Sequence, residues 1–429
     1  SGVEWIGEIP EDWDIYRNKN AFICNKEIVG KNSNSTQLLS LTTGGIKCKD
    51  INNAEGKLPE SFDTYQYVKK NDVVMCLFDL DMSAVFSGIS QYDGMISPAY
   101  KVLSCQDRAN PLFIHYWFSY IFDGRKFNHY AKNIRYTLNY NEFATLPILL
   151  PPKTTQQRIA SYLDKKCSKI EETIQNQQLV IEKLKAYKQS LITEAVTGKI
   201  KIENGKVCGE YESYKDSGVE YLGKIPLDWN IKRLRYIGKC QNGISKGGEF
   251  FGSGYPFVSY GDVYNNLVLP ETVSGLIDST HEEQENYSVK AGDIFFTRTS
   301  ETIEEVGFTS VCLKTIENAT FAGFVIRVRP FTDELIPDYS KYYFSSDAHR
   351  RFFVKEMNLV TRASLSQDLL KRLPVLIPSK EKQKEIADYL DKKCTAIDTV
   401  IEQKQKLIKK LTEYKKSLIY ECVTGKKEI

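Results

Sequence analysis

Apolar residues recur in alternating steps of three and four along two long stretches of the chain, residues 153–199 and 380–426. This spacing is the seam of a heptad pattern, which is typical of paired long helices and not of strands. The two stretches are also copies of each other, because a shift of 227 residues aligns them without a gap, with 26 of 47 positions identical. The pattern therefore predicts two long, related helices.

The predicted seam uses the same positions in both copies. In the first copy these are Leu163, Cys167, Ile170, Ile174, Gln177, Ile181, Leu184, Lys188, Leu191 and Ala195. In the second copy they are Leu390, Cys394, Ile397, Ile401, Lys404, Ile408, Leu411, Lys415, Leu418 and Cys422. An apolar seam in water is unfavourable, so we expect the two helices to pair with each other, most simply in an antiparallel manner.

Four further apolar residues flank the seam: Val180, Tyr187, Leu407 and Tyr414. They broaden the apolar face beyond a simple pair and leave room for helices of a partner protein. A purely structural coiled coil with no further role remains the alternative at this point.

The ends of both helices carry capping signals. Thr154 and Ser379 are candidate N-caps that follow prolines, and Gly198 and Gly425 stand where a left-handed residue ends a helix. At 1.5 Å per residue, a helix of this size is about 60 Å long. We therefore expect a strut that joins separate modules.

The duplication extends beyond the helices. Residues 1–17 recur as residues 217–233 with 11 of 17 positions identical. The second copy is preceded by Tyr-Lys-Asp at 214–216, whereas the first begins without Met, so we expect a few N-terminal residues to be missing. The chain is thus a pseudo-twofold tandem repeat in which each repeat runs from an opening segment through a globular module to a long helix.

The modules themselves have the pattern of a mixed α/β (α+β) fold rich in strands. We predict strands at residues 37–41, 73–78, 99–103, 255–260, 293–297 and 324–328, with helical stretches at 112–122 and 338–353. Runs of Leu-Pro-aliphatic-Pro type at 146–151 and 373–378 predict a last strand before each long helix. The predicted boundaries are 1–150 for the first module, 151–200 for its helix, 201–216 for a linker, 217–377 for the second module and 378–429 for the distal helix.

Composition narrows the class of protein. The 429 residues are 41% apolar, which suffices for ordinary cores, and no run of 18 apolar residues predicts a membrane span, so we expect a soluble cytoplasmic protein. The ten cysteines include no Cys-x-x-Cys pair, which argues against a disulfide framework or zinc site. Each helix segment carries a net charge of +4 and the remainder −5, so bulk charge does not predict strong DNA binding by the modules alone.

Catalytic motifs are absent from the sequence. It holds neither a phosphate-binding loop of the GxxxxGK[ST] type nor an HExxH metal motif. Asp79 and Asp81 resemble paired acids, but no lysine lies near them in sequence to complete a nuclease site. We therefore predict a protein that is not an enzyme.

Together, the repeated SGVEWIGEIPEDW opening, the LPxLxPP exit, the following Q-x-x-IA-YLD helix and the VTGK ending resemble the specificity subunit of type I DNA restriction-modification systems. The resemblance covers the whole chain in family order. It implies two target-recognition domains joined by two antiparallel coiled-coil helices. Each domain would read one half of a split, asymmetric site in double-stranded DNA, and the helices would set the unread spacer.

The resemblance also implies partners. Two methyltransferase subunits would dock on the helices and domains, and translocase-nuclease restriction subunits would join for cleavage. S-adenosylmethionine, ATP and Mg would be bound by those partners and not by this chain. No membrane partner is implied.

Candidate DNA-binding residues lie in loops that follow the predicted strands, where polar side chains could reach base edges in the major groove. They are Lys47, Asp79, Asp81, Arg135, Lys246, Tyr260, Asp262, Arg298, Thr299, Ser300 and Arg362. Arg135 and Arg362 are alike in both repeats, so we expect phosphate or structural contacts from them. The candidate residues for helix pairing and subunit contacts are Leu163, Ile170, Ile174, Ile181, Leu184, Tyr187, Leu191, Leu390, Ile397, Ile401, Ile408, Leu411, Tyr414 and Leu418.

Other functions remain open from the sequence. A coiled-coil adaptor could hold two protein- or sugar-binding modules apart. A self-sufficient methyltransferase or nuclease lacks the expected motifs, while the recognition subunit of a type IIB enzyme would differ mainly in its partner. The target bases and the spacer length do not follow from the sequence.

Overall fold

The computed structural model describes residues 1–50, 59–131, 136–300, 306–356 and 363–429. The chain forms two compact units. Unit 1 comprises Ser1–Gln178 and Gln405–Ile429, and unit 2 comprises Leu179–Lys404. Each unit therefore holds one globular module and a part of each long helix.

The first module, residues 1–150, is built mainly of short strands. These are β1 (Asp14–Arg17), β2 (Phe22–Asn25), β3 (Leu39–Thr42), β4 (Gly45–Cys48), β5 (Gln66–Val68), β6 (Val73–Met75), β7 (Ser87–Ile89), β8 (Gly94–Ile96), β9 (Lys101–Cys105) and β10 (Pro147–Leu150). Two helices accompany them, α1 (Pro111–Asp123) and α2 (Tyr140–Thr145). The first long helix, α3 (Lys153–Val196), begins three residues after β10.

After α3 the described residues form fifteen strands and six α-helices. The strands of this part are β11 (Ile202–Glu203), β12 (Lys206–Val207), β13 (Tyr214–Asp216), β14 (Lys224–Pro226), β15 (Asn230–Arg233), β16 (Gly238–Asn242), β17 (Phe251–Val258), β18 (Leu276–Ile277), β19 (Ile294–Thr297), β20 (Thr299–Ser300), β21 (Thr309–Val311), β22 (Thr320–Phe321), β23 (Val325–Pro330), β24 (Ala363–Ser364) and β25 (Pro374–Ile377). The helices are α4 (Tyr260–Asn265), α5 (His281–Asn286), α6 (Pro337–Ser345), α7 (Asp347–Glu356), α8 (Gln367–Arg372) and the second long helix, α9 (Lys380–Val423).

The two modules share one antiparallel sheet design. In the first module the order is β2-β9-β6-β7, and in the second, residues 217–377, it is β16-β23-β19-β21. The central pairs are also in equivalent register, with Val73 opposite Leu103 and Ile294 opposite Val328. The predicted mixed fold is confirmed, and the two sequence repeats are also structural repeats.

The opening and exit segments of each module pair with each other. β1 runs antiparallel to β10, and β15 runs antiparallel to β25 in the same way. The predicted last strand before each long helix is thus present in both repeats. This pairing holds the start of each module against its end, directly before the long helix.

Both long helices have 44 residues, as their heptad pattern predicts. In unit 1, Leu163 and Ile170 of α3 share a core with Leu418 and Cys422 of α9. In unit 2, Leu191 of α3 shares a core with Leu390 and Cys394 of α9. Each of these cores also includes side chains of the module in that unit, so the helices and the modules are stabilised together.

Ion pairs show that the helix segments run antiparallel within each unit. In unit 2, Lys188 of α3 lies 2.6 Å from Asp398 of α9. In unit 1, Lys415 of α9 contacts Glu171 of α3. The shift of 227 residues converts one pair into the other, so the same contact occurs once in each unit.

The ends of the long helices agree in part with the capping residues that the sequence predicts. Gly198 and Gly425 have φ angles of +71° and +75°, as expected, and a Cβ on either would lie 2.4 Å from a proline ring of the opening segment. Ser379 caps α9 by accepting a hydrogen bond from the Lys382 amide at 3.3 Å. The expectation for Thr154 is wrong, since α3 begins at Lys153 and Thr154 is already inside it.

Two other segments differ from the sequence pattern. Residues 201–216 contain the hairpin β11-β12, in which the Asn204 amide donates to Glu385 at 2.7 Å, and the strand β13, which pairs with β14. The predicted helical stretch 338–353 is divided into α6 and α7 at Ser346. Burial of Ile202 against the module explains why this polar segment is ordered.

Candidate nucleic-acid interface

Four separate segments of the second module meet at one end of its sheet. The Arg298 amide donates to the carbonyl of Phe324 at 2.9 Å, and the Leu365 amide donates to the carbonyl of Arg298 at 2.7 Å. Next to them, β20 pairs with β24, which puts Thr299 opposite Ser364. From α8, Gln367 donates to the side chain of Asn242 at the end of β16, at 3.0 Å.

We call five of these residues the strand-end positions of the second module: Asn242, Arg298, Phe324, Ser364 and Gln367. Ser364 is exposed, and Phe324 is 64% exposed. The other three are half-buried. The result is a mixed polar and aromatic surface on a rigid sheet end.

The first module has the same frame. There the Leu138 amide donates to the carbonyl of Leu77 at 2.8 Å, the counterpart of the bond between Leu365 and Arg298. The registers of the two sheets and the repeat shifts then assign a counterpart to each strand-end position. Lys26 corresponds to Asn242, Leu77 to Arg298, Ala99 to Phe324, Thr137 to Ser364, and Tyr140 to Gln367.

All five counterparts line a single cleft of about 480 Å³ in the first module, together with Lys101 and Phe78. The strand ends of the two modules therefore cluster in the same way but present different surfaces. The first is a concave site with two lysines, and the second carries an arginine, an exposed phenylalanine and a pair of amides. Burial raises the pKa of Tyr140 in this cleft, so its hydroxyl remains a neutral hydrogen-bonding group.

Several sequence-predicted residues of the second module lie at this sheet end. Arg298, Thr299 and Ser300 follow β19 directly, and the Tyr260 hydroxyl donates to the carbonyl of Thr299 at 3.1 Å. The structure thus brings these four candidates together. In the first module the residue that corresponds to Arg298 is the buried Leu77. A positively charged side chain at this position therefore occurs in the second module alone.

Two other candidates of the second module are engaged in local contacts. Asp262 forms a capping box with Ser259 at the start of α4, with a bond of 2.8 Å from the Ser259 amide. Lys246 pairs with Glu283 at 2.6 Å, and this hydrogen bond lowers the pKa of the Glu283 carboxyl. A phosphate contact by Lys246 would require that ion pair to open.

The sequence-predicted candidates of the first module lie in two separate segments, a strand and a turn. Lys47 is exposed on β4, while Asp79 and Asp81 lie in a turn in which the Asp79 carbonyl accepts from the Ser83 amide at 2.7 Å. Asp79 has a φ of +50°, and the neighbouring Met82 is 82% exposed. Arg135 and Arg362 lie outside the described residues.

Two arginines of β23 in the second module are structural. Arg329 forms two hydrogen bonds of 2.6 and 2.7 Å with the buried carboxylate of Asp293. Arg327 is buried beside Gln241, and this burial lowers its pKa to about 10. Both guanidinium groups stabilise the sheet and so differ from Arg298, which is half exposed.

The long helices present a second candidate surface. In unit 2, Val180 and Tyr187 are 36% and 56% exposed, one heptad apart on α3. In unit 1, Leu407 and Tyr414 are 42% and 53% exposed at the equivalent positions of α9. Every predicted seam residue is buried or half-buried, so these four side chains lie beside the seam and not in it.

The described parts of the chain contain no cluster of three His, Cys, Asp or Glu side chains that could hold a metal ion. Within the same residues, every helix is too short or too polar to cross a membrane.

Comparison with known proteins shows which proteins this chain is similar to. The model of the type I restriction modification DNA specificity domain matches residues 226–411. The specificity subunit of the type I restriction enzyme EcoKI from Escherichia coli (strain K12) is 23% identical over 291 residues, which cover 66% of this chain and 58% of that subunit. In sequence, the chain is therefore similar to type I specificity subunits.

A specificity subunit from another organism shows a similar degree of similarity. The MjaVIII specificity subunit of Methanocaldococcus jannaschii is 24% identical over 285 residues, or 66% of this chain and 63% of that protein. The matched regions thus span less than two thirds of the length of these relatives.

Two solved structures share the fold over nearly the whole chain. A chain from a study of complex assembly and conformational transition of the type I R-M system aligns with a TM-score of 0.72 and 15% identity, covering 97% of this chain and 98% of that one. The HsdS subunit from Thermoanaerobacter tengcongensis aligns with a TM-score of 0.51 and 16% identity, with the same coverage. At these identities the likeness establishes the fold.

The sequence pattern did not single out Asn242, Phe324, Ser364 or Gln367. They come from four segments that lie far apart in the chain, and only the sheet brings them together. The internal repeat of the sequence could have revealed these four positions. Aligning the two modules by their shared framework would have shown that each of these positions differs between the repeats.

Proposed function

We propose that this chain is a type I specificity subunit that reads a split, asymmetric site in double-stranded DNA, one half with each module, and assembles the enzymes that act on that site. The observation that carries the proposal is the set of strand-end positions. One backbone frame occurs in both modules, and its five clustered positions carry different side chains in each.

Different side chains on a common frame are what two unlike half-sites require. Base edges in the major groove are distinguished by their pattern of donors, acceptors and the thymine methyl group. Lys26 and Tyr140 offer one such pattern in the first module, whereas Arg298 and the amides of Asn242 and Gln367 offer another in the second. Arginine pairs best with guanine, so we assign to Arg298 a G·C pair in the second half-site.

The helices supply the remaining parts of the proposed assembly. We infer that the length of α3 and α9 sets the number of base pairs left unread. Val180 and Tyr187 in unit 2, and Leu407 and Tyr414 in unit 1, form equivalent exposed apolar surfaces, which suits the docking of two copies of one partner. We assign them to two methyltransferase subunits, with translocase-nuclease subunits joining for cleavage.

In this proposal the chain selects the DNA sequence, and the partner subunits catalyse the reactions. The methyltransferases bind S-adenosylmethionine, and the restriction subunits bind ATP and Mg. The chain itself is not catalytic and acts in the cytoplasm, where genomic DNA is found. Its modules are not strongly basic, so we expect tight DNA binding only when the partners are present.

The test is adenine-methylation sequencing of a plasmid exposed to this chain together with its cognate methyltransferase subunit. We expect one split, asymmetric methylated motif that disappears when the chain is omitted. No new methylation, combined with failure of the two proteins to co-purify, would contradict the proposal and favour a structural adaptor.

A single substitution tests the division between the modules. Arg298→Ala should relax one G·C position in one half-site and leave the other half-site unchanged, because the first module carries Leu77 at this position. The methylation motif of the variant measures this directly. An equal loss of binding to all DNA sequences would instead assign Arg298 to a phosphate.

A further inference from the structure

The amides of Asn242 and Gln367 form one hydrogen-bonded pair at the strand end of the second module. The Gln367 Nε2 group donates to the Asn242 Oδ1 atom at 3.0 Å. Both side chains are half-buried and stand on regular elements, Asn242 as the last residue of β16 and Gln367 as the first of α8. Side chains that are positioned in this way before binding lose little freedom when a ligand arrives.

Two hydrogen bonds hold the elements that carry the pair, one between backbone groups and one between a backbone amide and a side chain. The Gly243 amide donates to the Val325 carbonyl at 3.2 Å and thereby ties the end of β16 to β23. At the other side, the Ser366 side chain caps α8 by accepting from the Leu369 amide at 3.1 Å. The two amide groups therefore meet because the sheet and the helix are fixed, and not because two loops happen to touch.

The hydrogen bond between the two amides leaves other donors and acceptors of the pair unused. It uses a single N–H of Gln367 and one lone pair of Asn242, which leaves the Asn242 Nδ2 donors, the second N–H of Gln367, the second lone pair of Asn242 Oδ1 and the Gln367 Oε1 acceptor. If both amides rotate together, the pair again presents one donor and one acceptor. In either arrangement the surface offers a donor beside an acceptor.

This arrangement matches the major-groove edge of adenine, which has the N7 acceptor and the N6 donor side by side. Guanine presents two acceptors there, N7 and O6, so one of them would face the acceptor of the pair. The amide pair therefore favours adenine over guanine because it can offer a donor and an acceptor together. Asparagine and glutamine are the side chains that most often read adenine in this way.

Phe324 supplies an apolar surface at the same sheet end. It precedes β23, in which Ile326 lies opposite Asn242, and it is 64% exposed. The preceding Gly323 is packed so closely that a Cβ there would lie 2.2 Å from the Ser245 Oγ atom. This close turn presents Phe324 outward, where an aromatic edge can contact the methyl group of a thymine.

The corresponding residues of the first module cannot form the same unit. Lys26 and Tyr140 replace the two amides, and Ala99 replaces the phenylalanine. Any property that depends on the amide pair must therefore belong to one half-site only.

From this geometry we propose that Asn242 and Gln367 act together as a reader of one A·T base pair in the half-site of the second module, with Phe324 against the thymine methyl of that pair or its neighbour. The inference rests on the proposed function, since it assumes that the module binds DNA. It adds the identity of one base pair and of the residues that select it.

The experiment uses the full chain in complex with its cognate methyltransferase subunit and a plasmid library in which the recognised region is randomised. Methylation sequencing gives the motif of the wild type and of the variants Gln367→Leu, Asn242→Ala and Gln367→Glu. Tyr140→Leu is the matched control, because it changes the equivalent position of the first module. Thermal melting of each variant reports whether it is folded.

We expect Gln367→Leu and Asn242→Ala to relax the same A·T position, reducing a preference of about 10-fold or more to near equality. Gln367→Glu should shift that position toward C·G, because a carboxylate accepts from the N4 group of cytosine. Tyr140→Leu should alter the other half-site alone. If one amide variant does not fold, the other still tests the pair.

Three results would overturn the inference while the proposed function stands. These are a wild-type motif without A·T in the second half-site, a motif that both amide variants leave unchanged, and relaxation of different positions by the two variants. Uniform weakening across all sequences with lowered melting temperature would show that the pair only joins α8 to β16. A wild-type complex that marks no motif at all would defeat the proposed function as well.

Discussion

Two buried glutamines, Gln156 and Gln383, occupy equivalent positions at the start of the long helices. The Gln383 Oε1 atom accepts from the Ile336 amide at 2.9 Å, and its Nε2 group donates to the carbonyls of Glu334 and Pro378 at 2.8 and 2.9 Å. Gln156 makes the matching three bonds in the first repeat. One side chain thus fixes the start of a long helix to the start of a module helix in each unit.

Replacing Gln383 by leucine should destabilise unit 2 by about 3 kcal/mol, because three buried or partly buried backbone groups would lose their partner. Urea unfolding measures the effect. Lys384→Leu is the control, since Lys384 is exposed and adjacent. A midpoint for Gln383→Leu equal to that of the control would mean that water takes over the three bonds.

Burial of His349 makes the stability of unit 2 depend on pH. Its ring packs against Phe344 and Phe353, and this burial lowers its pKa from the usual 6.5 to about 3. The folded state therefore keeps the ring neutral, whereas the unfolded chain takes up a proton below about pH 6.5. Stability from this residue is present above pH 6.5 and is lost as the pH falls toward 3.

We expect the free energy of unfolding to fall by about 2 kcal/mol between pH 7 and pH 5 on account of His349. Urea midpoints at the two pH values measure this loss, and His349→Leu should reduce it. His281→Leu is the control, because that side chain is 85% exposed. An unchanged slope in His349→Leu would show that other groups control the acid response.

Among the elements, the long helices were the most predictable from sequence. Their period persists over 44 residues, so local pattern and final packing agree. The strands before the helices were predicted for a similar reason, since β10 and β25 are short apolar runs bounded by proline. All strand-end positions except Arg298 were missed because no local pattern marks them, and they become neighbours only through the registers of β16, β19 and β23.

The exposed apolar surface of α3 leads to a prediction about assembly that rests on the proposed function. Tyr187→Asp should leave the fold intact, because the side chain is 56% exposed, yet should weaken methyltransferase binding about 10-fold or more by placing a charge in the contact. Size-exclusion chromatography of the mixed proteins measures complex formation.

Lys185→Asp is the matched control, since residues two positions apart on a helix face different directions. Equal complex formation by the wild type and Tyr187→Asp would argue that the methyltransferase docks elsewhere on the chain.

In the whole molecule, each compact unit is assembled from both halves of the sequence. Leu418, close to the end of the chain, is 1% exposed in a core with Ile6 and Trp13 of the first module. Its repeat counterpart Leu191 is 5% exposed in the core of unit 2, with Trp229. A substitution in a long helix should therefore destabilise the unit that contains that part of the helix, whichever half of the sequence it lies in.

Leu418→Asp should destabilise unit 1 by about 4 kcal/mol or more, because a carboxylate would be buried in an apolar core. Hydrogen exchange followed by mass spectrometry should show faster exchange in residues 1–178 and 405–429. Leu191→Asp is the counterpart and should affect residues 179–404. Loss of protection in both units from either variant would show that they unfold together.

The division of the chain into these units also has a consequence for its synthesis. Unit 2 is one continuous stretch, Leu179–Lys404, whereas unit 1 needs Gln405–Ile429 to close its core. At roughly 5–20 residues per second, the ribosome takes on the order of ten to forty-five seconds to make the intervening 226 residues. For that time the nascent first unit exposes the apolar face of Leu163 and Ile170, so the domain that is translated first is the last to fold and the one most in need of a chaperone.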